Sequence, residues 1–231
     1  MLKSCGVHST ARPVPHGECS AQLHGTWWLF LALALFAVLP ASGRAEDGPG
    51  RLRAFLSDLR TLEARFVQQR FDEAGTAVER SEGTFKLARP ARFLWDYATP
   101  LRQQVLSDGR EVYIHDIELE QVTVRSLDAA LAGSPAALLG AEEDIDALYE
   151  LSELPPEEGL TWVALASRDA EGDFAGVRLA FDARSLRVME LDDNFGQRTR
   201  IEFSDVRVNG PIQQGIFEFR PAPGVDVVRG D

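Results

Sequence analysis

Phe93, Trp95 and Tyr97 alternate with Arg92, Leu94 and Asp96 inside the stretch from Gly83 to Gly109. Successive side chains of a strand point to opposite faces, so the three aromatics share one face. A chain with this pattern needs a sheet with one strongly apolar side. Pro90 and Pro100 bracket the strand, because proline cannot donate to a ladder and so marks its ends. Arg89 stands just before Pro90 and puts a cation at the end of the preceding strand, beside the aromatic surface. Two uses of such a face compete. It can be the packed side of an ordinary antiparallel sheet, or a hydrophobic trough with a charged latch at its rim.

The flanking sequence extends the sheet. Phe66–Phe71 and Ala77–Leu87 read as strands joined by a turn at Asp72-Glu73-Ala74-Gly75. Gln103–Ser107 and Val112–Asp116 read as a hairpin around Asp108-Gly109, and Glu120–Val124 as a further strand. A break is expected at Leu154-Pro155-Pro156-Glu157. After it come strands at Thr161–Ser167, Phe174–Asp182, Arg187–Asp192, Arg198–Arg207 and Gly215–Arg220.

Helical spacing is confined to short pieces. Leu52, Phe55, Leu56 and Leu59 predict an amphipathic helix over Arg51–Leu62, after a flexible leader at Glu46–Gly50. Ser126–Gly133 and Ser134–Gly140 each open on a serine cap and close on a glycine, and Asp144–Leu148 gives a third turn. Two-turn helices are not stable alone in water. Leu127, Leu131, Leu138 and Leu139 therefore need an apolar surface to lie on, as the helices of a lid would.

The N-terminus reads as an export signal. Trp27–Leu39 is an unbroken apolar run, too short for a comfortable bilayer span, and Pro40–Ala45 supplies small residues with Gly43 and Ala45 at −3 and −1. Cleavage after Ala45 leaves one domain over 46–231. It removes Cys5, Cys19, His8, His16 and His24, and with them any disulfide. The full chain carries a formal charge of −12. Loss of Lys3, Arg12 and Arg44 against Glu18 makes the exported part more acidic still, which disfavours nucleic acid and anionic lipid surfaces.

The remaining residues offer little catalytic chemistry. His115 is the last histidine and sits between Ile114 and Asp116 in a strand, as a solvated sheet-face residue would. No cysteine nucleophile, Cys/His zinc site or G-x-S-x-G elbow is present, no metal or other cofactor is implied, and no spacing singles out a carboxylate pair. The sequence does not read as an enzyme. Arg89 beside an aromatic wall needs acceptors, because a buried unpaired cation is heavily penalised. Carbonyls at the ends of short lid helices would serve, and so would a rim carboxylate.

Several segments, in order, carry a resemblance: Phe66-Val67-Gln68-Gln69, Gly83 to Pro90 as G-x-F-x-L-x-R-P, Phe93-x-Trp95-x-Tyr97-x-x-Pro100, Ser107-Asp108-Gly109, Leu119–Thr123, Ser134-Pro135-x-x-Leu138-Leu139 and Phe217-x-Phe219-x-Pro221 through Gly224-Val225. Together they resemble the LolA family of periplasmic lipoprotein carriers. The resemblance implies a mainly β fold: an incomplete antiparallel barrel of about eleven strands with a helical lid over a hydrophobic cavity. It implies that Arg89 latches the lid through backbone hydrogen bonds, and that Phe93 lies where cargo and transporter are felt. Acylated lipoproteins are the implied cargo, loaded by an inner-membrane ABC transporter and passed to an outer-membrane acceptor by a monomeric carrier. The cavity expected from alternation is lined by Phe66, Phe85, Phe93, Trp95, Tyr97 and Val105, with Leu138 and Leu139 from the lid. The strong acidity departs from what the family suggests. A carrier of another exported lipid, or a periplasmic lipid-binding sensor of the same fold, is the alternative.

Overall fold

The alternating segments assemble into one twelve-stranded sheet in a computed structural model that describes residues 47–127, 135–140, 144–168 and 174–230. In chain order the strands are β1 (Thr61–Phe71), β2 (Ala77–Ala88), β3 (Arg92–Thr99), β4 (Gln103–Asp108), β5 (Glu111–Asp116), β6 (Gln121–Ser126), β7 (Tyr149–Glu157), β8 (Leu160–Ser167), β9 (Phe174–Phe181), β10 (Leu186–Asp193), β11 (Arg198–Val208) and β12 (Asp226–Arg229). Their order in the sheet is β12-β6-β5-β4-β3-β2-β1-β11-β10-β9-β8-β7. β12 runs parallel to β6, and the other neighbours are antiparallel. The end strands β12 and β7 pair on one side only, so the sheet does not close.

Register gathers the apolar face at the centre. Phe66 lies opposite Phe203 and Gly83, Phe85 opposite Trp95, Leu87 opposite Phe93, and Trp95 opposite Val105. Gly83 is required where it stands: a Cβ there would lie 2.0 Å from the Asp96 carbonyl oxygen. The β4–β5 turn is built as expected. Gly109 has φ +95°, and the Asp108 carboxylate accepts from the amides of Arg110 and Glu111 at 2.8 and 2.9 Å.

Among the described residues, three short helices cover this face: α1 (Gly48–Asp58), α2 (Pro135–Gly140) and α3 (Ile145–Leu148). Leu52 and Leu56 of α1, Leu138 and Leu139 of α2 and Ile145 of α3 join the same buried cluster as the strand residues. α1 lies against β7, β8 and β9, with Phe55 edge-on to Phe181 at 5.4 Å and the Arg51 guanidinium donating to the Asp182 carbonyl. α2 lies against β3. The outer face carries a separate small cluster of Trp162, Ala180 and Val188. Farther along it, Phe219 stacks on Tyr113 at 4.7 Å.

The structure corrects several boundaries. α1 starts at Gly48, with Asp47 as its cap, where a flexible leader was expected; it stops at Asp58 because Thr61 already begins β1. The Leu154–Glu157 break is the end of strand β7, where prolines are tolerated because an edge strand leaves one row of donors unpaired. The expected strand Gly215–Arg220 is instead a 3-10 turn at Gln214–Phe217, and β12 follows it. These exchanges turn about eleven strands into twelve. Ser126 closes β6 and Leu127 packs on the core; the remainder of the expected Ser126–Gly133 helix, Leu131 included, and Ser134 lie outside the described residues. His115 sits on the outer face edge-on to Phe219 at 5.9 Å, partly covered rather than fully solvated.

Candidate functional site: a helix-covered aromatic wall

The aromatic wall is continuous across four strands. Phe66 of β1 meets Trp95 and Tyr97 edge-on at 4.8 and 5.0 Å. Phe85 of β2 stacks on Trp95 at 4.2 Å, and Phe203 of β11 stands 6.2 Å from both. Such pairs contribute about 0.5–1.5 kcal/mol each beyond the area they bury. Phe93 continues the face toward the turn that bears Arg89, and Val105 of β4 packs at its flank. At the other end the Tyr97 hydroxyl donates to Gln68 Oε1 at 3.2 Å. Burial, reinforced by Glu79 and only partly offset by that hydrogen bond, pushes its pKa up to about 12, so the phenol stays neutral.

All the residues expected to line a cavity therefore share one cluster, and the wall is covered rather than open. Phe66, Phe85, Phe93 and Trp95 are at most 4% exposed. Leu138 and Leu139 belong to the cover and not to the wall. Leu139 and Leu52 are fully buried against the strand side chains. Any apolar guest would have to take the place of these helix residues.

Arg89 holds the cover down. Its Nε donates to the Leu139 carbonyl at 3.0 Å and its Nη1 to the Leu56 carbonyl at 2.7 Å. Both carbonyls lie in the last turn of a helix, where backbone acceptors lack intrahelical partners and the helix dipole favours a cation. The amide of Ala91 adds a contact to the Gly140 carbonyl at 3.3 Å. One side chain from the β2–β3 turn thus ties two helices to the sheet. Arg89 therefore reaches backbone carbonyls near the ends of two helices.

Sequence reasoning missed Phe203, Gln68 and the pairing of α1 with α3. Phe203 was legible in the alternation of Ile201 and Phe203. The other two depend on contacts between residues far apart in the chain. In the third case the Arg53 guanidinium meets the Asp146 carboxylate through Nε and Nη2, both at 2.7 Å.

An unclosed, mainly β sheet whose apolar face is covered by short helices, two of them hydrogen-bonded to one arginine, sets the class of fold. The chain belongs to the LolA family of outer membrane lipoprotein carrier proteins, whose pattern matches residues 57–220. It is similar to the outer-membrane lipoprotein carrier protein of Methylococcus capsulatus, at 41% identity over 80% of this chain and 90% of that relative. The proteins of the same description from Dechloromonas aromatica and Nitrosospira multiformis are 38% and 40% identical, over 86% and 84% of this chain and 95% and 94% of their own lengths.

Proposed function

We propose that this protein is a periplasmic carrier that takes up the acyl chains of lipoproteins released from the inner membrane and delivers them to the outer membrane. The observation that carries the reading is the aromatic wall under a helical cover fastened by Arg89 to backbone carbonyls. Names of relatives that match over nearly their whole length support it. The work is non-covalent: the protein binds and releases, with no bond made or broken.

The energetics of exchange favour this use. Covering one acyl chain of about fifteen methylenes is worth roughly 12 kcal/mol at about 0.8 kcal/mol per CH₂. The cover buries Leu52, Leu56, Leu138, Leu139 and Ile145. At about 1.5–3 kcal/mol per side chain, that is roughly 7–15 kcal/mol. One acyl chain thus gains about what the cover loses on leaving the wall, so a competing acceptor can tip the exchange of that chain without chemical energy.

In this reading Phe66, Phe85, Phe93, Trp95, Tyr97 and Val105 receive the acyl chains once Leu138 and Leu139 have moved aside. Arg89 is the latch that favours reclosure. An inner-membrane ABC transporter loads the carrier, an outer-membrane acceptor unloads it, and the carrier acts as a monomer. Residues 1–45 are removed on export, leaving 46–231 as the working domain. Native mass spectrometry of the protein from its own periplasm tests the proposal: masses of triacylated or diacylated polypeptides support it, whereas free phospholipid alone favours a carrier of another lipid.

A further inference from the structure

Arg89 ties α1 and α2 to the sheet through backbone acceptors, and these two hydrogen bonds do not reach α3. The helix α3 is joined to α1 by the bidentate contact between Arg53 and Asp146. Resting on the carrier reading above, we propose that Arg53 and Asp146 form a second, ionic clasp of the lid, and that opening starts at the groove the two fastenings share.

Three observations support this. First, Arg53 and Leu56 are three residues apart on α1, so the ionic contact and the carbonyl gripped by Arg89 lie within one turn of the helix. Second, a surface groove of about 370 Å³ is lined by Arg53, Leu56, Arg89, Ile145 and Asp146 among others, so both fastenings open onto the same seam. Third, Asp146 is next in sequence to Ile145, which is 7% exposed and part of the apolar cluster. A movement of α3 that parts the Asp146 carboxylate from Arg53 must also shift that isoleucine in the core, against the hydrogen bond from Arg168 to the Asp146 carbonyl at 3.0 Å.

The two fastenings differ in kind. The two hydrogen bonds from Arg89 go to neutral carbonyls from a part-buried position. The side chains of Arg53 and Asp146 are 49% and 40% exposed, and an exposed ion pair is weakened by salt. The ionic clasp therefore makes lid opening sensitive to ionic strength and to any charged surface that meets the groove. α1 is the hub: it accepts one arginine and supplies the other.

The test uses the mature protein and N-phenyl-1-naphthylamine, an uncharged apolar dye whose entry into the interior is followed by fluorescence. Entry into the wild type is expected to quicken by about two- to fivefold between 50 and 500 mM salt, the range an exposed, well-aligned pair can exert. Arg53→Ala, Asp146→Asn and the double variant should all be fast at low salt, insensitive to salt and alike, because each removes the same contact. Asp205→Asn, which breaks the exposed Arg65–Asp205 pair at 3.1 Å, should keep wild-type behaviour. Additive effects of the two single changes, or a wild-type salt response in Asp146→Asn, would overturn the clasp. Lipoprotein cargo is not needed for the dye measurement, so the clasp and the carrier reading fail on separate results.

Discussion

Replacing Arg89 by leucine separates latch from rim charge. The change removes two charge-assisted hydrogen bonds, at 3.0 Å to Leu139 and 2.7 Å to Leu56. Hydrogen bonds to charged groups contribute about 1.5–3 kcal/mol each, so the closed lid loses about 3–6 kcal/mol. Leucine recovers about 1.5–3 kcal/mol by apolar contact with the same wall. Taking low with low and high with high, the net loss of about 1.5–3 kcal/mol corresponds to about a ten- to 150-fold shift from closed toward open. Loading does not require closure, so cargo uptake should persist. Handover should slow, because reclosure no longer competes with the acyl chain for the wall. The assay loads purified carrier from membranes and follows transfer of labelled lipoprotein to acceptor-bearing outer membranes. Transfer at the wild-type rate, with the interior dye entering no faster, would refute the latch.

Four further outcomes are expected. Gly83→Ala should destabilise the fold by about 1–3 kcal/mol in urea unfolding, because its Cβ would meet the Asp96 carbonyl and the backbone cannot yield cheaply. Glu190→Gln should cost about 1–3 kcal/mol by the same measurement, since Glu190 is 6% exposed and takes Arg178 and Arg200 at 2.9 Å each. The Arg53 hydrogen bond, with a further pull from Arg168, holds the Asp146 carboxyl below its usual value of 3.8 against the opposing cost of burial, and the carboxylate of its neighbour Asp144 accepts from the Asp146 amide. A depressed pKa means the clasp is intact above pH 3.8 and is lost only as pH falls through the lower folded value; carbon-detected titration should show Asp146 moving up in Arg53→Ala. Intact mass of the exported protein should place its first residue at Glu46.

Much of the wall is legible in the sequence alone. Period-two alternation fixes which residues share a face, so Phe93, Trp95 and Tyr97 could be grouped with Phe85 from the neighbouring strand. The acceptors of Arg89 could be narrowed to helix ends or a carboxylate, but not chosen, because the choice depends on how α1 and α2 cross the sheet. Leucine spacing marks helix α1 but not its ends, which lie at Gly48 and Asp58. Its start is set by the Asp47 side chain accepting from Gly50 at 2.7 Å, and its end by the pairing of Thr61 with Ala88. Pro155-Pro156 signals the end of regular structure, yet an edge strand has no partner on its outer side and so continues through. Arg53 and Asp146 are 93 residues apart, and nothing local to either marks the other.

Residues 46–231 hold two tryptophans, Trp95 and Trp162, which allow a direct reading of where an acyl chain goes. Trp95 lies in the wall, stacked on Phe85, whereas Trp162 belongs to the outer-face cluster. A lipopeptide with brominated acyl chains quenches indole fluorescence only at short range. Titrated into the mature Trp162→Phe variant, it should quench Trp95 in proportion to binding; in Trp95→Phe, the emission of Trp162 should hold steady. Binding that leaves Trp95 bright, or that quenches Trp162 instead, would contradict the account.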